Sequence, residues 1–174
     1  VEKSLSCGMH LNLTYDLDPE YKFRYIRDSA ETTPAGLTRT TSKDIHYEDT
    51  NYDEIPDRIT RTVTLNDTRS TTLENDVINA RKTIISPEGR TQIQTYDPDT
   101  LVTTSTHTPG LEPTEYAYYQ DGKLRSVVTG SRSVSFGYDA NGWLSSITDP
   151  RDRTTDFTCD PAGRVTRIDR PDGT

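Results

Sequence analysis

Residues 138 to 150 read Tyr138-Asp139-Ala140-Asn141-Gly142-Trp143-Leu144-Ser145-Ser146-Ile147-Thr148-Asp149-Pro150. Two turn signals bracket a short run of strand formers. In Asp139-Ala140-Asn141-Gly142 an Asx side chain caps its own turn, and glycine supplies the positive φ of a type I turn followed by a bulge. In Asp149-Pro150-Arg151-Asp152 the proline presets the first turn dihedral. The fourth position takes Gly or Asp because both tolerate the left-handed region. Between the two turns there is room for one strand and no helix.

The stretch is repeated. Tyr118-Tyr119-Gln120-Asp121-Gly122-Lys123-Leu124 and Cys159-Asp160-Pro161-Ala162-Gly163-Arg164-Val165 superpose on it, with glycines at 122, 142 and 163 and apolar residues at Val127, Ile147 and Ile168. The steps are 20 and 21 residues. The proline turn recurs 63 residues upstream as Ser86-Pro87-Glu88-Gly89, and 21 residues downstream in Arg170-Pro171-Asp172-Gly173. Tyr96-Asp97-Pro98 keeps the register, although Thr100 stands where the turn glycine belongs and the step from Tyr96 to Tyr118 is 22 residues. A period near 21 with two turns predicts one β-hairpin running into the next, each repeat burying surface only against its neighbours.

A four-residue loop places Tyr138 opposite Trp143, Phe136 opposite Ser145 and Val134 opposite Ile147. One face then collects Val134, Phe136, Tyr138, Trp143 and Ile147, and the other Ser133, Ser135, Gly137, Leu144, Ser146 and Thr148. In the following repeat Phe157, Cys159 and Ile168 share the first face with Arg164 and Thr166. Cys159 takes the place of an aromatic ring as a packing thiol.

Composition agrees with strands. The 174 residues include 29 Thr and 10 Tyr, only 30 % are apolar and one is Met. So few apolar residues cannot supply helices with continuous buried stripes, so the chain is all-β with a thin core. Recurring aromatics separate it from disordered chains. The net charge of −8, with scattered basic residues, argues against nucleic acid and anionic membrane as partners. No apolar run approaches the roughly 18 residues of a membrane span. The first residue, Val1, is not Met, so the chain is expected to come from a longer one.

Upstream of residue 85 the repeat fades. Leu11–Tyr15, Tyr21–Ile26 and Arg58–Leu65 alternate as strands. Ser29 to Pro34 reads as turn-rich and Asp44 to Asp57 as a solvated acidic loop. No Gly-, Ser- or Pro-rich linker divides the chain, so residues 1–174 are read as one β-rich region, degenerate over 1–84 and repetitive over 85–174.

Chemistry is sparse. Cys7 and Cys159 are read as unlinked thiols, since no cysteine framework is present. His10, His46 and His107 lack a second ligand at metal spacing and read as structural or solvated. Asp16-Leu17-Asp18 and Asp97-Pro98-Asp99 are the nearest approach to a calcium site, but neither lies in an EF-hand or a glycine-rich nonapeptide. Carboxylates in strand turns are turn residues first. Asn12-Leu13-Thr14 and Asn66-Asp67-Thr68 are formal sequons of the kind a Thr-rich chain makes by chance. Neither cofactor nor catalytic constellation is indicated, and the chain is read as a non-enzyme.

The repeated segments, Tyr-Asp then two variable residues, Gly, a basic or bulky residue and an aliphatic, resemble the tyrosine-aspartate (YD) repeat of the RHS (rearrangement hotspot) family. Tyr118, Gly122 and Leu124, then Tyr138, Asp139, Gly142, Leu144, Ile147 and Pro150, then Cys159, Asp160, Gly163, Val165 and Ile168 carry it. Thr33-Pro34-Ala35-Gly36-Leu37-Thr38 and Ser86–Arg90 also look like stretches common in bacterial members. The resemblance implies a strip of antiparallel hairpins forming part of a spiral β-shell, which in bacterial toxins encloses a toxic C-terminal domain until delivery. Related shells occur in insecticidal toxin complexes and in teneurin adhesion receptors. It implies as partners the remainder of the shell and the enclosed toxin domain, and a secreted or cell-surface bacterial location. The chain is too short to close a shell and stops within a repeat. An alternative is an adhesion module whose aromatic face, through Tyr116, Phe136 and Trp143 with Tyr118 and Tyr138, stacks on cell-surface carbohydrate. Exposed strand edges at either end predict self-association.

Overall fold

The computed structural model describes residues 1–172, so Gly173 and Thr174 of the last proline turn lie outside the described residues. Those residues form fifteen strands and no helix. Two compact units divide them, the first residues 1–101 and the second beginning at Val102.

In the first unit the strands are β1 (Glu2–Ser4), β2 (His10–Leu17), β3 (Arg24–Thr32), β4 (Thr38–Glu48), β5 (Arg58–Leu65), β6 (Arg69–Asp76), β7 (Arg81–Ile85) and β8 (Thr91–Tyr96). Each pairs antiparallel with the next. The second unit is built alike from β9 (Thr103–His107), β10 (Thr114–Tyr118), β11 (Leu124–Thr129), β12 (Arg132–Tyr138), β13 (Leu144–Thr148), β14 (Thr154–Cys159) and β15 (Val165–Asp169). Each unit is a meander, the all-β strip of consecutive hairpins expected from the sequence.

Burial is slight. Among the described residues only Asp18, Pro56, Asp57 and Tyr96 are buried. With so little enclosed apolar surface, cohesion comes from the ladders and from cross-strand side-chain pairs, each worth roughly 0.2–1 kcal/mol. Threonine supplies many of these pairs. Hydroxyls meet across strands at Thr32–Thr38 (3.0 Å), Thr64–Ser70 (2.8 Å), Thr114–Thr129 (2.8 Å) and Thr148–Thr154 (2.9 Å).

Both kinds of turn share one geometry. At Asp139–Trp143 the first amide donates to the carbonyl of the fifth residue and the fourth amide returns to the first carbonyl, both at 2.9 Å. The same two bonds close Leu5–Met9, Thr33–Leu37, Ser86–Arg90, Tyr119–Lys123, Asp149–Arg153 and Asp160–Arg164. The fourth position is left-handed in each: Gly142 has φ +83 and Asp152 +58, as the turn chemistry requires. Around Tyr96 the turn is one residue longer. There the left-handed position passes to Leu101 (φ 58), whose amide donates to the Asp97 carbonyl at 2.8 Å, which accounts for both the missing glycine and the 22-residue step.

The pairing after each Tyr-Asp turn differs from the expected one. Tyr138 faces Leu144, Gly137 faces Ser146 and Phe136 faces Ile147, so Ser145 is an extra residue in a bulge. Tyr138 is therefore not opposite Trp143, nor Phe136 opposite Ser145, nor Val134 opposite Ile147. The bulge turns Leu144 onto the face of Tyr138 and removes it from the polar face, while Trp143 stays in the turn. Arg125 and Thr166 are extra residues at the same place in the neighbouring hairpins. Val165 thus pairs with Cys159, where Arg164 and Thr166 had been expected on that face. Gly137 sits beside the bulge where a Cβ would collide with the Ser146 hydroxyl.

Two upstream readings also change. Ser29–Thr32 belongs to β3 and Asp44–Glu48 to β4, so only residues 49–57 form the acidic loop. A one-layer ladder accepts charged residues along a strand because neither face is sealed from water.

Candidate functional site

Along the edge of the second unit where the Tyr-Asp turns lie, each turn is held by an aspartate. Asp139 Oδ1 accepts from the amides of Asn141 (2.9 Å) and Trp143 (2.8 Å), and Asp160 Oδ1 from Ala162 (2.9 Å) and Arg164 (3.0 Å). In the first turn Tyr119 stands in the Asp position. Asp121 then takes over, accepting from the Lys123 amide at 3.2 Å and pairing with the Lys123 ammonium. Across the sheet Asp149 does the same for Arg151 and Arg153. The Arg153 guanidinium and the backbone amides hold the Asp149 carboxyl down to about 2. Arg164 first, then the backbone, lowers Asp160.

Successive turns interlock. A Cβ on Gly142 would lie 3.1 Å from Lys123 Nζ, and one on Gly163 would lie 3.0 Å from the indole of Trp143. The residue after each turn glycine thus lies over the glycine of the next turn. The basic or bulky residue of the motif and the glycine that follows 20 or 21 residues later are one contact. In the first unit a Cβ on Gly8 would lie 3.2 Å from Pro34, the second residue of the Thr33–Leu37 turn.

A second link crosses the strands. The Tyr118 hydroxyl donates to the Thr103 carbonyl (2.9 Å) and the Tyr138 hydroxyl to the Leu124 carbonyl (3.1 Å). Cys159 points its sulfhydryl at the equivalent Leu144 carbonyl, 3.9 Å away. Each Tyr position is thereby tied to the hairpin before it.

Residues 118–153 and 138–174 match the family model described as RHS Repeat. Residues 118–174 carry RHS repeats. The match begins at Tyr118 and spans the interlocked turns. No curated protein matches the chain. Among solved structures it is similar to TcdB2-TccC3 without its hypervariable C-terminal region (TM-score 0.49, 13 % identity, 98 % of this chain and 11 % of that one). It is also similar to TcdB2-TccC3-Cdc42 (0.47, 16 %, 98 % and 11 %) and to the Photorhabdus luminescens Tc holotoxin pore (0.40, 14 %, 97 % and 14 %). The chain spans 11 to 14 % of the length of these chains.

Of the other residues singled out in the RHS repeats, Ile147 pairs with Phe136 and Ile168 with Phe157. Pro150 occupies the second turn position, in the exposed Asp149–Arg153 turn. Tyr116 and Phe136 are half-buried on strands, and the Tyr116 hydroxyl meets Thr106 at 3.2 Å. Trp143, 39 % exposed, lies apart from them against Gly163. The structure does not bring these three rings together on one exposed platform.

The sequence reading did not single out Lys123 or Gly137 as structural residues, nor Asp18, whose carboxylate is fully buried. Asp18 accepts from the amides of Glu20 (3.0 Å) and Tyr21 (2.7 Å) and from the Tyr47 hydroxyl (2.7 Å). Burial opposes its ionisation, but these donors and Arg61 keep its carboxyl below the usual range. Burial and the Asp18 bond push the Tyr47 hydroxyl up to about 12. Its partner on β4, Tyr47, lies 29 residues away and was not legible in the sequence. Asp16-Leu17-Asp18 is thus a loop anchor, and Asp97 Oδ1 is engaged by Asp99, Thr100 and the Thr100 hydroxyl. Cys7 and Cys159 are free. Among the described residues no three His, Cys, Asp or Glu are grouped to hold a metal ion, and no helix is long and apolar enough to cross a membrane.

Proposed function

We propose that the chain is a stretch of the wall of an RHS-type β-shell that encloses a C-terminal toxin domain and helps deliver it, in a secreted or cell-surface bacterial protein. The observation that carries this reading is the register of RHS repeats over residues 118–174 with the interlocked turns Lys123–Gly142 and Trp143–Gly163. A wall of this kind needs no sealed core. It needs each hairpin to lock its successor, and Tyr138 and Trp143 supply locks on neighbouring strands and turns. The hydroxyl-rich strands suit a surface that must hold an unfolded guest without gripping it by apolar contact. The role is structural, and its partners are the rest of the shell and the guest.

The test is protease protection in the full gene product. The C-terminal domain resists cleavage while the wall is intact and becomes sensitive when paired substitutions at Trp143 and Lys123 loosen the turns. Equal sensitivity of that domain in both forms would overturn the reading.

A further inference from the structure

In the first unit the loops 18–23, 49–57 and 77–80 follow β2, β4 and β6, so they share one edge of the antiparallel strip. Contacts between them hold that edge together. The Tyr47 hydroxyl, near the end of β4, donates to Asp18 of the first loop at 2.7 Å, and the Tyr21 ring meets Tyr47 edge to face with centroids 5.8 Å apart. The Val77 amide of the third loop donates to the Asp57 carbonyl of the second at 2.8 Å.

This edge shows apolar side chains to water. Tyr21, Phe23, Tyr52, Ile55, Val77 and Ile78 are all exposed there, Tyr52 to 89 %, Ile55 to 63 % and Ile78 to 64 %. The loop that displays two of them is fixed. Asp49 accepts from the amides of Tyr52 (2.7 Å) and Glu54 (3.0 Å), Asp53 from Ile55 (2.9 Å), and the buried Asp57 from Thr50 (2.7 Å). These bonds hold Tyr52 and Glu54 left-handed, at φ 61 and 67, a conformation that L residues rarely adopt. Apolar side chains clustered in water and held on an ordered backbone mark a contact surface.

Charge selects the occupant. A cavity of about 390 Å³ opens between the first two loops, lined by Glu20, Tyr47, Asp49, Glu54 and Pro56, with three carboxylates and no basic group. Among the described residues the Glu20 and Glu54 carboxylates carry neither hydrogen bond nor ion pair, and Lys22, the one basic residue of the three loops, is turned onto the Pro19 carbonyl. The same residues include no group of three suited to a metal ion. An acidic edge repels nucleic acid and anionic membrane. The complement is a lysine or arginine whose methylene stem lies along Tyr47 and Pro56 while its head meets Glu20 and Glu54, with apolar neighbours that cover Tyr52, Ile55 and Ile78.

We infer that this edge docks a segment of another protein in which a lysine or arginine stands among apolar residues. The assignment does not depend on the wall reading.

The probe is a synthetic amphipathic leucine–lysine peptide, titrated into the intact chain and followed by amide NMR. Shifts are expected within 18–23, 47–57 and 77–80, with a dissociation constant on the order of 100 μM. Glu20→Gln with Glu54→Gln weakens binding about tenfold by removing the charge, and Tyr52→Ser with Ile55→Ser about tenfold by removing apolar area. Glu112→Gln with Glu115→Gln, in the second unit, removes the same net charge and leaves affinity unchanged. Unchanged amide spectra outside the three loops verify the fold of each variant. Leucine–glutamate and serine–lysine versions of the peptide, and spermine, each bind about tenfold more weakly or worse. Equal loss from the Glu112 and Glu115 pair, shifts spread over both units, or spermine binding as well as the peptide would reduce the effect to general acidity and overturn the proposal. Co-sedimentation of the chain with phosphatidylcholine vesicles would make lipid the occupant and overturn it as well.

Discussion

The Tyr138 hydroxyl donates to the Leu124 carbonyl at 3.1 Å, and one repeat later the Cys159 sulfhydryl occupies the same station, 3.9 Å from the Leu144 carbonyl. The two residues are one device in two strengths. A phenol spans the gap with a full hydrogen bond and a ring; a thiol offers a weak donor and little area.

Removing the phenol oxygen therefore isolates the bond. Tyr138→Phe is expected to cost about 1 kcal/mol, read as a lower urea midpoint with an unchanged slope. Cys159→Tyr is expected to stabilise by a similar amount, because it restores ring and bond at a half-buried station. A lower midpoint for Cys159→Tyr would show that the third repeat has no room for the ring.

Gly36 and Gly163 separate backbone strain from close approach. Both have φ near +80, yet a Cβ on Gly36 meets nothing within 4 Å, while one on Gly163 meets Trp143 at 3.0 Å. Gly36→Ala is expected to cost about 1–2 kcal/mol from φ alone, and Gly163→Ala about 1 kcal/mol or more beyond that. In the double variant Gly163→Ala with Trp143→Ala the excess disappears. Trp143 is the one tryptophan, so its emission reports displacement of the indole directly.

Acid should loosen the turns. The carboxyls of Asp149, Asp160, Asp121, Asp97 and Asp18 all lie below the ordinary carboxylate range. A depressed folded pKa contributes stability above the unfolded value near 3.9 and loses it as pH falls through the folded one. Stability is thus expected to hold from neutrality to about pH 5 and to decline from about pH 4 toward 2. Asp149→Asn with Asp160→Asn keeps acceptors for the turn amides, removes the Arg153 and Arg164 pairs, and flattens that decline in a circular-dichroism titration.

Among the described residues, strands β1 and β15 are each paired on one side only. Open ladders template further pairing. Light scattering over a hundredfold range of concentration should therefore show association, suppressed by proline placed within β15.

The turns were legible in the sequence because each demands particular chemistry: an aspartate cap at Asp139 and Asp160, a left-handed residue at Gly142, Gly163 and Asp152. The period followed from them, and with it the hairpin strip. The bulge was not legible. Its extra residues are Arg125, Ser145 and Thr166, none of a type that marks a bulge, and one unmarked insertion shifts every later pair and moves Leu144 to the other face. Asp44–Glu48 was misread for a related reason, since alternation marks a strand only when one face is dry, and neither face of β4 is. The Trp143–Gly163 lock needed the spacing between turns in three dimensions, although a bulky residue after each glycine was its visible trace.

Enclosure is most directly tested by a cryo-electron microscopy map of the full gene product. The account predicts that β10 to β15 form part of a single-layer wall around a cavity that contains density for the C-terminal domain. A map in which these strands pack against a second sheet, or in which they surround no cavity, would contradict it.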